Sequence, residues 1–291
     1  MRISRKQFVK SLAGFAGLTS VRQISANPLG LPIGIQLYTV RNDLQRDFQG
    51  TLQKLAAMGY GAVEASVTSE GSIDFNGGAP REFKSKLDQS GLLIPSCHFS
   101  PPKDDTEWAR RIDTAHELKL EYMLCAAPFK TNSLDAWKRA SEFFNHLGEQ
   151  CRDAGLRFAV HNHNAEFRVY EGVIAYDQLL KSTDKNLVEM EMDCFWTTFA
   201  GQDPVKYFRQ YPGRFPLLHI KDLKTGYSPT TGEFQGNPFV EVGNGVVNWK
   251  RIFDAASVAG VKHYYVEQDR WDRPSLESAR ISVDYLKKLT G

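Results

Sequence analysis

The chain reads as a single (β/α)₈ barrel. Three observations predict it: eight short apolar runs of strand character, a helical pattern after each, and a length that suits eight such units without a long linker. Of the 291 residues, 42% are hydrophobic, which is enough for one large core. An open doubly wound sheet is the alternative, but no GxGxxG follows the first strand.

The expected strands cover residues 33–38, 62–65, 93–98, 122–126, 157–161, 187–193, 216–220 and 263–267. Between the first two, Leu44, Phe48, Leu52 and Leu55 recur at helical spacing, and Gly59 follows where a left-handed cap is usual, so one amphipathic helix is expected. Ser133 can cap a long helix to about Arg152, closed near Gly155. Asn248 can cap one carrying Trp249, Ile252, Phe253 and Ala256, closed by Gly260. Two connections are long, residues 66–80 and 222–246. Both follow strand C-termini, so in a barrel both overhang the catalytic face.

The formal charge of +2 is unevenly spread: residues 1–26 hold Arg2, Arg5, Lys6, Lys10 and Arg22 and no acid. Without those five, 31 basic residues face 34 acidic ones, which argues against a nucleic-acid surface. The basic start, the apolar stretch from Phe8 to Leu18 and the small residues at Ser25 and Ala26 read as a cleavable export signal, too short for a stable membrane span. Residues 4–10, Ser-Arg-Lys-Gln-Phe-Val-Lys, resemble a twin-arginine motif with Lys6 in place of the second arginine. The expectation is an exported, periplasmic protein, with a cytoplasmic one as the alternative if the leader is no signal. Cys97, Cys125, Cys151 and Cys194 form no CxxC pair and read as buried free thiols.

Chemistry concentrates at the strand ends. Glu166, Asp193, His219 and Glu267, spaced 27, 26 and 48 residues apart, each lie at or just past an apolar run, and a parallel barrel would gather them on one rim. Singly, such an Asp caps a helix, such a Glu pairs with arginine, and such a His is a rim residue. Together they form an oxygen-rich set with one imidazole, which suits Mn²⁺ first, and also Mg²⁺, Co²⁺ or Zn²⁺. An ion so held, with open positions for a vicinal diol or hydroxy-ketone, polarises a carbonyl and stabilises an enediolate when the neighbouring carbon loses its proton.

Five segments carry a family resemblance: HNHNAEF, MDCFW, LLHIKD, EVGNGVVNW and YYVEQD. With GIQLYTVR and GYGAVEAS near the start, the chain from residue 31 to 291 resembles the sugar phosphate isomerase/epimerase family of xylose-isomerase-like TIM barrels. The resemblance implies one divalent metal on Glu166, Asp193, His219 and Glu267, with sugar chemistry at the C-terminal face. Related epimerases place a Glu directly at the end of the fifth strand, where this chain has His161-Asn162-His163, so His163 is the alternative ligand there. Glu64 and His98, ending strands two and three, are candidates for the proton-transferring base and acid, each with a rim ion pair or a hydrogen-bonded imidazole as the plainer reading. Lys221 could bind a substrate oxygen or pair with Asp222, and Arg41 has the same standing. Tyr38, Phe99, Phe129, Trp196 and Trp271 could offer flat faces to a sugar.

The expected function is proton abstraction beside a carbonyl of a small sugar or keto-glycoside. The outcome is isomerisation, epimerisation, or 3-keto-glycoside elimination or hydration. A non-catalytic exported sugar-binding barrel and an endonuclease IV-like phosphodiesterase are the alternatives. The latter wants more zinc ligands and a basic groove. No nucleic acid and no membrane is expected as a partner, and self-association of the chain is left open.

Overall fold

The computed structural model describes residues 27–127 and 131–289. The basic leader and Phe129 lie outside them. Eight parallel strands form a closed ring: β1 (Gly34–Gln36), β2 (Ala62–Val67), β3 (Leu93–Phe99), β4 (Tyr122–Ala126), β5 (Arg157–His161), β6 (Val188–Asp193), β7 (Leu217–Ile220) and β8 (His263–Val266). Each strand lies beside its successor, and β8 returns to β1 with Gly34 opposite Tyr265. A side chain on Gly34 would collide with the Tyr265 ring and the Tyr264 carbonyl, so glycine permits this close approach at the seam.

Side chains alternate along each strand. Val63 and Ala65 join the main core between the ring and its helices, while Ala62 points inward with Tyr122, Leu124, Ala159, Leu217 and Tyr265 to plug the barrel. Toward the C-terminal ends the inward positions turn polar, and all the chemistry described below sits there.

The long helix Leu134–Asp153 is capped as expected, Ser133 Oγ accepting from Ala136 N at 3.2 Å, and the chain leaves it through Gly155 at φ 76°. Two expected helices are each broken in two. Asp47, at φ −151° and ψ 89°, separates Arg41–Arg46 from Phe48–Met58, and its carboxylate accepts from Gly50 N to cap the second piece. A cap residue inside an apolar 3.6-residue pattern is invisible to the periodicity. Likewise Ala255 separates Trp249–Asp254 from Ala256–Ala259, with Asn248 capping the first and Gly260 closing the second.

The two long connections have structure of their own. Ile73 bridges to Val67 and Gly78 after β2, and after β7 Asp222–Leu223 pairs antiparallel with Phe239–Val240. A third, unforeseen excursion follows β5: a 3₁₀ turn, Ala165–Phe167, and a ribbon of Val169–Tyr170 with Val173–Ile174. The four cysteines are buried and free. Among the described residues no helix is long and apolar enough to cross a membrane.

Candidate active site

Strand β6, VEMEMD, alternates acid and methionine, so Glu189, Glu191 and Asp193 share its inward face. Asp193 ends the strand and caps the helix Cys194–Phe199, its Oδ1 accepting from Trp196 N at 2.9 Å. Its Oδ2 is buried without a hydrogen bond, with the Lys221 ammonium 3.1 Å away as an ion pair. On β7, His219 presents Nδ1 to Glu267 Oε2 at 2.8 Å and to Asp193 Oδ2 at 3.9 Å. The ligand-type atoms of Asp193, His219 and Glu267 lie within 4.8 Å of one another. The structure therefore gathers three of the four expected metal ligands.

The fourth, Glu166, is not among them. Strand β5 ends at His161, and the chain then turns through Asn164, whose amide donates to the carbonyls of Thr230 and Gly232. The following 3₁₀ turn carries Glu166 into a separate cavity of about 60 Å³ beside Trp137 and Arg168, its carboxylate 3.7 Å from His163 Nδ1. What the end of β5 delivers to the cluster is His161, buried, with its ring centroid 4.7 Å from that of His219.

Beneath these groups lies a second layer. Glu64 Oε2 sits 2.6 Å from His219 Nε2 and 3.0 Å from His98 Nε2, and accepts from Gln36 Nε2 at 3.1 Å. Glu191 Oε2 is 2.9 Å from His98 Nε2 and 3.0 Å from His161 Nδ1, while its Oε1 is buried and unpartnered. His98, His161, Glu191 and His219 form a second group able to hold a metal ion. Burial disfavours charge on all of them, but the charges split. His98 and His219 outweigh burial at Glu64 and hold it well below the usual carboxylate range. Burial and that neighbouring charge push Glu191 up to about 7. Against burial, Glu64 and Glu191 raise His98 to about 10. His219 is likewise raised well above its ordinary value, burial being outweighed by Glu191 and Glu267. His161 is held well below it by burial and by the imidazoles around it, and so stays neutral.

These groups open into a cavity of about 440 Å³ whose wall includes His98, His161, His163, Trp196, His219 and Lys221. Of the expected acid–base pair, His98 reaches this wall and Glu64 does not: fully buried, Glu64 lies behind His98 and His219. Lys221 does not pair with Asp222. Its ammonium stands 2.8 Å from Glu267, 3.1 Å from Asp193 and 3.2 Å from Asp269, and these carboxylates keep it charged despite burial. Arg41 lies on the wall, stacked against Trp271, and Tyr38 lines it too.

Three residues of the site, His161, Glu191 and Asp269, were not singled out from the sequence. Signals existed: the acid–Met alternation of β6 marks Glu191, and the last residue of β5 is His161. Asp269 closes the EQD triplet after β8.

The donor set fits a divalent cation. Asp193, Glu267 and Asp269 bring three carboxylates to one buried spot against the Lys221 ammonium, and Asp193 Oδ2 lacks a hydrogen bond. A buried carboxylate oxygen without a donor is costly unless a cation supplies what is missing. Oxygen donors with one imidazole suit Mn²⁺, Mg²⁺ or Zn²⁺.

A family model described as xylose isomerase-like TIM barrel matches residues 52–289, and the chain belongs to that family. Among solved structures, a sugar phosphate isomerase/epimerase from Parabacteroides distasonis ATCC 8503 is 29% identical, with a TM-score of 0.77 over 88% of this chain and 93% of that one. The IOLI protein, solved with a binding zinc atom, shares the fold at 14% identity and a TM-score of 0.68, over 89% of this chain and 99% of that one. An inosose dehydratase from Lacticaseibacillus casei is 23% identical over 242 residues, 71% of this chain and 80% of that protein. The chain is an enzyme of this family.

Proposed function

We propose that the protein is a divalent-metal-dependent enzyme that removes a proton from the carbon beside a carbonyl of a sugar or keto-glycoside. The observation that carries this reading is the convergence of Asp193, His219 and Glu267, the last two on the wall of a cavity that His98 and Lys221 also line and Asp193 buried directly behind them. Asp193, His219 and Glu267 would hold the ion, Mn²⁺ first, with neutral His161 the nearest further imidazole. When bound, it supplies a Lewis acid for the substrate carbonyl.

The remaining work falls to side chains. Lys221, fixed by three carboxylates, donates to a substrate oxygen from a set position. His98 faces the cavity with both Glu64 and Glu191 on its Nε2, so the group of three can take up a proton and return it without a charge being stranded in the barrel. Trp196 and Phe239 cover the site on one side and exclude water. Returning the proton to the opposite face of the same carbon gives epimerisation, and delivering it to the former carbonyl carbon gives isomerisation, as in the name of the Parabacteroides relative. Expelling a substituent from the next carbon gives elimination, as a dehydratase acting on an inosose must do. Elimination from a 3-keto-glycoside is placed first because the basic leader supports an exported enzyme, and phosphorylated sugars are largely intracellular.

The test is to load the protein with Mn²⁺ and incubate it with 3-keto-glucosides and free keto-sugars in deuterated water. Released aglycone is expected, with solvent deuterium entering the carbon beside the carbonyl only where the substrate is reprotonated or the eliminated product is hydrated. Deuterium without aglycone would move the assignment to epimerase or isomerase, and neither aglycone nor deuterium from any substrate would sink the proton-transfer reading. Cell fractionation with N-terminal sequencing of the mature chain tests the exported location.

A further inference from the structure

The floor of the cavity is acidic, but its mouth is not. Two guanidinium groups, Arg41 and Arg270, stand on its wall. Arg41 is held between two rings, its guanidinium carbon 3.9 Å from the Tyr38 centroid and 4.2 Å from that of Trp271. Its edge donates to Tyr38 O at 2.8 Å and to Asp269 O at 2.9 Å. Arg270 lies over Phe234, 5.6 Å from the centroid, and donates to Gly236 O at 2.6 Å. All the acceptors are neutral carbonyls. Among the described residues, neither guanidinium has a carboxylate as ion-pair partner, whereas the exposed Arg251 takes Asp203 with two bonds, at 2.8 and 2.7 Å.

A guanidinium offers five N–H donors in a plane, and its flat faces stack on aromatic rings. Ring contacts cover the faces of Arg41, and two donors hold it in place. What remains is a pre-positioned, charged donor edge at the cavity wall, the geometry that planar and tetrahedral oxyanions accept in pairs of bonds. Ordering an arginine costs side-chain entropy, and here the protein has met that cost before any ligand arrives.

We propose that the mouth of the cavity is a subsite for an acidic group, a carboxylate or a phosphate ester, that the substrate carries away from its reacting carbon and that Arg41 and Arg270 grip. The proposal rests on the sugar-enzyme reading of the floor and specifies its substrate class. At the floor the positive charge of Lys221 is already matched by Asp193, Glu267 and Asp269, whereas the guanidinium charge at the mouth is unmatched, so the acidic end of the substrate faces outward and the reacting ring has one orientation. At about 440 Å³, the cavity leaves room beyond a single sugar ring for such a group.

The experiment uses the Mn²⁺-loaded full chain and three aryl 3-keto-β-glucosides: phenyl, 4-carboxyphenyl, and phenyl bearing a 4-phosphate ester. The corresponding unoxidised glucosides serve as non-reacting probes for calorimetry. An acidic arm is expected to bind at least tenfold more tightly than phenyl and to lower KM with kcat little changed, and the better acidic arm identifies carboxylate or phosphate. The preference should fall with added salt, and Arg41→Gln and Arg270→Gln should each remove most of it. Arg41→Lys, which keeps charge without the planar edge, should restore only part. Thermal stabilisation by Mn²⁺, whose proposed ligands Asp193, His219 and Glu267 bond to neither guanidinium, checks that the variants fold. Turnover of all three arms with no acid preference overturns the subsite while the proposed function stands. Arginine-dependent binding of an acidic glucoside without turnover of any keto-glucoside upholds the subsite and overturns the keto-glycoside form of the proposed function. Acid preference that survives in both glutamine variants also overturns the subsite.

Discussion

Asp193 and Asp222 stand at the ends of neighbouring strands, both fully buried, and they are treated in opposite ways. Asp222 accepts five hydrogen bonds: Leu223 N and Val247 N on Oδ1, and Gly243 N, Gly245 N and Trp249 Nε1 on Oδ2. A side chain on Gly245 would strike this carboxylate, and Gly243 turns at φ 93°, so the run EVGNGVVNW is a wrapper built around one anion. Asp193 has one oxygen capped by Trp196 N and the other facing Lys221, without a hydrogen bond. A buried charge with every lone pair filled belongs to the architecture. One left half-filled within 4.8 Å of a second carboxylate and an imidazole, as Asp193 is, has room for a cation.

The largest effects should come from breaking the half-filled side. Asp193→Ala and Glu267→Ala are expected to lose stoichiometric Mn²⁺ and to reduce turnover of the 3-keto-glucoside by orders of magnitude, while circular dichroism stays that of a folded barrel and loss of the cap on Trp196 N lowers the metal-free stability of Asp193→Ala by about 1 kcal/mol. Elemental analysis and steady-state rates read both. Wild-type turnover in either variant would mean that these residues do not carry the chemistry. Next in size is the filled side. Asp222→Ala strands the buried N–H groups of Leu223 and Val247 and the buried Trp249 indole, each costing roughly 1–3 kcal/mol if it stays unpaired, besides two part-buried glycine N–H groups that water can reach, so a loss of at least about 3 kcal/mol in urea unfolding is expected. Stability equal to wild type would erase the distinction between the two aspartates.

Metal removal should act more mildly on the fold. Adding Mn²⁺ at a hundred times its dissociation constant to chelated protein should stabilise it by about 2.7 kcal/mol. The gain should shrink as pH falls. His219 is raised above its ordinary value in the metal-free site, so at neutral pH it carries a proton that must leave before the ring can bind an ion. Below that raised value, each unit of acidification should weaken Mn²⁺ by up to about tenfold for one released proton. Calorimetry in buffers of different ionisation enthalpy counts the proton, and an affinity independent of pH would exclude His219 as the ligand.

How much of this was legible in the sequence follows the same division. The eight ring strands are legible to within about two residues because each is a short apolar run bounded by turns and followed by a helical pattern. Asp193, His219 and Glu267 are legible because each sits within one residue of a strand end, where the barrel's geometry fixes its direction. The breaks at Asp47 and Ala255 are not legible, since apolar spacing continues across them while the backbone does not. Nor is the burial of Glu64 behind His98, because β2 runs on to Val67 and leaves Glu64 three residues inside the strand rather than near its end. Glu191 could have been read from the period-two alternation of β6 that ends in Asp193, the signal that also predicts an inward acid one layer down.

The strand-five ligand is where strand-end reasoning meets its limit, and it yields the smallest contrast. HNHNAEF offers four polar side chains before Glu166, and the sequence does not say where the strand stops. In the structure it stops at His161, leaving Glu166 one 3₁₀ turn away in its own small cavity. If strand ends select ligands, His161→Ala should weaken Mn²⁺ roughly 10–100-fold, the range seen when a residue supporting a metal site is lost. Glu166→Gln keeps the shape of the side chain, removes a buried and partly unpartnered charge, and should leave Mn²⁺ affinity within a factor of two, with stability unchanged or slightly higher. Titration of both variants against one metal-ion standard decides. A large loss in Glu166→Gln beside a small one in His161→Ala would show that the loop after β5 swings its carboxylate onto the ion when metal binds.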